Sequence, residues 1–167
     1  MEDIFNEKLV KKLPDGKTTM IKILSGVAAI AIMTLGLMYA GIASLLIIAA
    51  VGAGIFFLWQ QLDVEFEYIL TNDELDVDKI IARDRRKSLL VVSVKDFEVF
   101  APVNETYQHE FEHANVVKTV DASSSAKSTK RWFAVFNDGE TRTMLIFEPG
   151  KKMRAGIKQL IPRIYRE

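Results

Sequence analysis

Forty consecutive positions, 23–62, carry no charge and are almost wholly Ile, Leu, Val, Ala, Gly, Met and Phe. One helix of that length would extend roughly 60 Å, about twice the hydrocarbon thickness that about 20 apolar residues cross. The run therefore predicts two membrane passes within 18–62, a first helix over 18–38 and a second over 42–60. The break falls in Leu37-Met38-Tyr39-Ala40-Gly41, where Gly41 permits a turn and Tyr39 suits the interface. Trp59-Gln60-Gln61 closes the second helix with a belt aromatic and two polar residues. Small residues recur at four-residue spacing: Gly36 and Ala40, Ala49 and Ala53, Ala50 and Gly54. In lipid such faces let helices approach closely. They serve either packing of the hairpin on itself or formation of a homo-oligomer.

Residues 1–17 form an amphipathic N-terminal segment. Ile4, Phe5, Leu9, Val10 and Leu13 gather on one side of a short helix over 3–13 with Asp3 as its cap, which predicts a helix lying on the membrane surface. Pro14-Asp15-Gly16 then turns the chain. Beyond Asp63 the hydrophobic period falls to two. Val64, Phe66, Tyr68 and Leu70 alternate with Glu65, Glu67 and Ile69, and Leu75, Val77 and Ile80 follow the turn Thr71-Asn72-Asp73. This reads as a hairpin of half-buried strands. A polar loop at 83–87 leads to a run at 88–94, and a shorter extended piece at 97–100 ends by Pro102. Residues 103–115 are polar and poorly patterned, and the Ser-rich stretch 122–129 reads as a flexible connector. Trp132–Phe136 and Thr143–Phe147 flank Asn137-Asp138-Gly139-Glu140, a hairpin signal because Asp-Gly tolerates positive φ. A helix over 150–161 carries Met153, Ile157, Leu160 and Ile161 on one stripe, and Pro162 ends it.

The pattern predicts an α+β protein: a transmembrane helical hairpin, then a mainly antiparallel β unit over 63–167 closed by a C-terminal capping helix. About seven short strands with one apolar-striped helix last form the layout of a pleckstrin-homology (PH)-like barrel. Glu67-Tyr68-Ile69-Leu70-Thr71-Asn72-Asp73-Glu74-Leu75 resembles the opening hairpin of bacterial PH-type domains. The whole chain also resembles a family of uncharacterised small two-pass membrane proteins of Gram-positive bacteria, a domain of unknown function. That resemblance rests on Met1–Glu7, on Asp96-Phe97-Glu98-Val99-Phe100-Ala101-Pro102 and on Leu145-Ile146-Phe147-Glu148-Pro149. It implies a location and a layout, and it carries over no catalytic residue.

Charge sets the orientation. Lys8, Lys11, Lys12, Lys17 and Lys22 precede the apolar run, and Lys79, Arg83, Arg85, Arg86 and Lys87 follow it. The positive-inside rule places both termini of such a cell-membrane protein in the cytoplasm. The alternative is a signal peptide cleaved near Met38-Tyr39-Ala40, against which stand Glu2, Asp3, Glu7 and Asp15 ahead of the run. No ionisable residue lies within the run, so a proton or ion pathway has no group to work with. A formal net charge of zero gives no reason to expect nucleic acid. The absence of cysteine excludes a disulfide framework, a thiolate metal site and a cysteine nucleophile.

Two patterns carry chemistry. His109-Glu110-Phe111-Glu112-His113 is a literal H-E-x-x-H, in which two histidines on one helical face bind zinc and the glutamate activates a water. Its flank, Asn104–Gln108, is polar where that motif needs an apolar helix, so surface histidines are expected, with adventitious metal or a small zinc hydrolase as alternatives. The second pattern is the cluster Lys79, Arg83, Arg85, Arg86 and Lys87. Phosphoinositide-binding PH domains use a K-x(n)-R-x-R spacing between their first two strands, because fixed cations suit clustered phosphates. Here the spacing follows the second predicted strand, and Asp84 interrupts it. Expected, then, is a membrane-tethered cytosolic interaction module without catalysis or cofactor. It would bind a protein partner or the inner leaflet, with a headgroup sensor as the alternative.

Overall fold

The structure, a computed structural model, describes residues 4–166; Asp3, the expected helix cap, lies outside them. Two long helices, α1 (Gly16–Tyr39) and α2 (Ser44–Gln61), are joined by a 3-10 turn at Gly41–Ala43. Gly41 adopts φ 53° at the break, a conformation that costs glycine nothing. Both helices are long and apolar enough to cross a membrane. The inward face of α1 is small where it meets α2: a Cβ on Gly36 would lie 3.3 Å from two carbons of Ile47. Near the other end of the pair, Trp59 Nε1 donates to Ser25 Oγ at 3.1 Å.

Outside this pair the β unit forms two four-stranded sheets, ordered β1-β2-β3-β4 and β5-β7-β8-β6. The first holds β1 (Phe5–Lys11), β2 (Val64–Thr71), β3 (Glu74–Ile81) and β4 (Arg85–Ser93). The second holds β5 (Phe97–Pro102), β6 (Lys118–Asp121), β7 (Trp132–Asp138) and β8 (Thr141–Phe147). The short α3 (Gln108–Glu112) and the capping α4 (Lys151–Leu160) complete the chain. Among the described residues no strand of one sheet pairs with a strand of the other, so the expected barrel is open.

The interfacial helix expected over 3–13 is absent, and most of that segment is strand β1. It pairs antiparallel with β2 from Phe5 opposite Thr71 to Lys11 opposite Glu65. A seven-residue ladder with long-range backbone bonds outweighs the loose helical spacing of Ile4, Phe5, Leu9 and Leu13, as tertiary context overrides propensity. Because β1 precedes α1 and β2 follows α2, the helical hairpin is inserted in the connection between two neighbouring strands. Lys12 N donates to Val64 O and Ala82 N to Asp63 O, both at 2.9 Å. Both helices therefore leave the sheet at the same end, beside the β3–β4 turn.

Alternation places Tyr68, Leu70, Leu75 and Val77 on the core face of the first sheet, all fully buried. Opposite them stand Phe100, Phe136, Leu145 and Phe147, with Met153 and Ile157 of α4 closing the open end. Gly156 allows that closure, because a Cβ there would meet Ile4 at 3.1 Å and Leu70 at 3.4 Å. Phe100 anchors an aromatic group with Trp132 at 4.9 Å and Tyr165 at 5.6 Å. On the outer face of the second sheet, Phe111 of α3 packs edge-on against Phe133 at 5.3 Å.

Candidate functional site

The end of the first sheet from which the helices depart gathers the basic cluster, and the sheet's period of two divides it. Arg85, Arg86 and Lys87 belong to β4 itself and are not part of a loop. Arg86 turns to the outer face, where Nη2 lies 2.6 Å from Glu67 Oε2 and Nη1 3.7 Å from Asp78. Arg83, in the turn, sits 3.6 Å from Asp63 and 4.0 Å from Glu65. These two arginines are neutralised by their own sheet. Lys79 stands directly opposite Lys87, and Ile81 opposite Arg85, so Lys79, Arg85 and Lys87 share the core-facing side at its open rim. None of these three forms an ion pair among the described residues. Like charges directly opposite in an antiparallel pair are destabilising, and an anion between them removes that cost. The turn they flank holds Ala82 at φ 57° and Arg83 at φ 58°, two consecutive left-handed residues without a glycine, which is locally strained.

Glu67 is 7% exposed. Burial pushes its carboxyl above the ordinary range, Arg86 opposes that, and Glu7 and Asp78 add to it. Arg86 is thus the counter-ion that lets a buried carboxylate remain charged.

The H-E-x-x-H residues lie at α3, which is only five residues long, with His113 as its C-terminal cap. The two imidazoles stack at 4.4 Å with 18° between planes, and His113 Nδ1 lies 3.1 Å from the carbonyl of His109. No group of three or more metal-ligating side chains occurs among the described residues. Arg142 and Arg166 line the same shallow hollow, and fixed cations beside a site oppose a dication. The motif is brought together as a stacked pair, without the third ligand that zinc chemistry needs.

The Ser-rich loop is no free connector. Asp121 Oδ1 accepts from Ser123 N and Oγ at 2.9 and 2.6 Å, and Glu148 Oε1 accepts from Ser124 N and Oγ at 2.9 and 2.6 Å. Leu13 N donates to Ser124 O at 2.8 Å, which ties the loop to the root of α1. Glu148 is buried, and burial alone would raise its pKa; the bonds from Ser124 and Ser128 and the charge of Lys8 outweigh it and hold the carboxyl below the ordinary range. Sequence reasoning missed this carboxylate, whose only trace is a Glu-Pro ending a hydrophobic strand.

Two sheets packed over one core, with a C-terminal helix across the open end, define a PH-like domain, here interrupted by a helical hairpin. The sequence profile of the bacterial PH-like domain family (DUF6106) matches residues 2–167, and the chain belongs to that family. No curated protein and no solved structure matches it.

Proposed function

We propose that this chain is a two-pass, membrane-tethered interaction module, with its PH-like domain held against the cytoplasmic leaflet and no catalytic role. One observation carries the reading: strands on either side of the helix pair form a single antiparallel ladder. Sequence before α1 and sequence after α2 must then lie on the same side of any bilayer the helices cross. A cleaved signal peptide would remove β1 from its own sheet. The lysines and arginines flanking the apolar run favour the cytoplasmic side.

The rim cations Lys79, Arg85 and Lys87 would face the headgroups, each contributing about 1 kcal/mol on an anionic surface. That favours leaflet contact over recognition of one headgroup, since the remaining two arginines of the cluster are occupied. A protein partner is the second route, through a free sheet edge, which needs backbone groups more than signature side chains. Small residues of α2 that face away from α1, Ala49, Ala50, Ala53 and Gly54, favour packing against a further membrane helix, including one from a second copy.

The chain has no cysteine, so single cysteines report topology cleanly. Ile42→Cys is expected to react with a membrane-impermeant maleimide in intact cells, while Glu7→Cys and Glu140→Cys react only after lysis. Labelling of Glu140→Cys in intact cells would place the domain outside and end this reading. Charge reversal at Lys79, Arg85 and Lys87 should weaken retention of the β unit on anionic bilayers more than reversal at Arg83 and Arg86 does. Equal effects would remove the rim from the account.

A further inference from the structure

On the flank of the domain, away from the rim, lies a cavity of about 340 Å³ between β1, the end of the Ser-rich loop and the start of α4. Four cations line it, Lys8, Lys130, Lys151 and Arg154, and no carboxylate of the described residues does. Glu148, beside the hollow, directs its carboxylate to Ser124, takes the Lys8 ammonium on its backbone carbonyl at 2.7 Å from Nζ, and offsets part of the Lys8 charge. Like charges converging on one hollow repel each other: burial first, then Lys130 and Arg154, lower the pKa of Lys8 against the opposing charge of Glu148.

A donor without an acceptor borders the hollow as well. Arg154 lies 5.1 Å over the ring of Trp132, and its Nε, like those of Arg131 and Arg142, is buried with no hydrogen-bond partner among the described residues. Buried donors without partners are uncommon and call for an explanation. The ten-residue α4 has Gly150 at its N-cap, with no side-chain cap hydrogen bond and no acidic residue in its first turn. Pro149, Gly150 and Lys151 at its start line the hollow, so the positive end of its dipole lies beside the cations.

We infer that this flank pocket binds a phosphate group, either free or on a small ester, with Lys8, Lys130, Lys151 and Arg154 as its charged donors. A dianion matches this surplus of positive charge better than a single carboxylate does, and a tetrahedral oxyanion accepts from a guanidinium and from helix amides together. The volume suits a phosphate with a modest organic substituent. Lys8 lies on the strand that leads directly into the helices, so a lipid phosphate monoester is the alternative source of the same chemistry.

The test uses the full chain in phosphatidylcholine nanodiscs and follows the thermal midpoint of the β signal. Inorganic phosphate should raise that midpoint saturably above chloride at equal ionic strength. In Lys130→Gln/Lys151→Gln, whose positions are exposed and tolerate change, the apparent phosphate affinity should fall about tenfold or more. If phosphate has no effect but phosphatidic acid in the disc stabilises the wild type and not this variant, the site takes its phosphate from lipid. The inference fails if neither source separates wild type from variant, or if phosphate acts no differently from chloride. Arg154→Lys provides a control that retains charge and loses the buried Nε donor; it should weaken phosphate binding while leaving the midpoint in chloride close to wild type. An unchanged phosphate response in it would also count against the assignment.

Discussion

The residue-scale observation with the widest reach is the division of labour among the arginines of β4 and its turn. Arg86 is exposed over half its side chain, yet it serves a carboxylate that is nearly buried. Removing it leaves Glu67 with a charge it cannot solvate, and such orphaned groups cost on the order of 1–3 kcal/mol. Arg86→Ala should therefore lower stability by about that amount at pH 8. The sign of its pH dependence follows from Glu67, whose folded pKa is raised. A raised pKa means the folded state binds the proton more tightly, so its contribution is present at low pH and is lost as pH rises through the folded value. The deficit of Arg86→Ala should accordingly shrink as pH is lowered towards 5, and a deficit that instead grows would contradict the assignment. Glu148 behaves oppositely: its folded pKa is depressed, so its stabilisation is present above the ordinary carboxylate range and is lost on acidification. Neither role was legible in the sequence. Arg83 to Lys87 read as one basic patch because a one-dimensional string does not show that strand β4 begins at Arg85. Once it does, alternation sends Arg86 to one face and Arg85 and Lys87 to the other.

Among the elements, the two long helices and the β7–β8 hairpin were legible because each depends on signals within a few residues: an uncharged run, Gly41, Asp138-Gly139. Strand β1 was not, since its partner lies more than fifty positions later and its outer face mixes Phe5, Glu7, Leu9 and Lys11. A separation of 24 positions likewise hid the anchoring of Ser124 on Glu148. Helix α4 was foreseen from its stripe, but the closeness of its approach to β1 and β2 is a three-dimensional fact centred on Gly156. Gly156→Val places a branched side chain where a Cβ already meets Ile4 at 3.1 Å. Overpacking of this kind costs about 1–3 kcal/mol, so the variant should melt earlier, while Gly156→Ala, which also gains helix propensity, should be close to neutral. A Val variant as stable as the wild type would show that α4 does not pack so closely there.

For the molecule as a whole, the helical hairpin is an insertion between adjacent strands, and the β unit is complete without it. Lys11 and Glu65 are direct neighbours in the ladder, so residues 14–61 should be replaceable by a linker of about five residues, a length ordinary for such connections. That chain is expected to be soluble without detergent, to keep the β circular-dichroism signature and to unfold cooperatively. A product that aggregates or lacks cooperative unfolding would mean that the domain needs its helices to fold.

The order of synthesis gives this insertion a further meaning. The seven residues of β1 leave the ribosome ahead of both helices and wait for their partner until the whole oily segment has passed and β2 has emerged behind it. If the hairpin spans a bilayer as proposed, incomplete threading would leave β1 and β2 on opposite faces, and the edge of β2 that β1 should cover would stay bare, a ready template for aggregation or proteolysis. In that topology a folded domain would be a record that both crossings were made, and a faulty insertion would be marked for removal without any dedicated sensor.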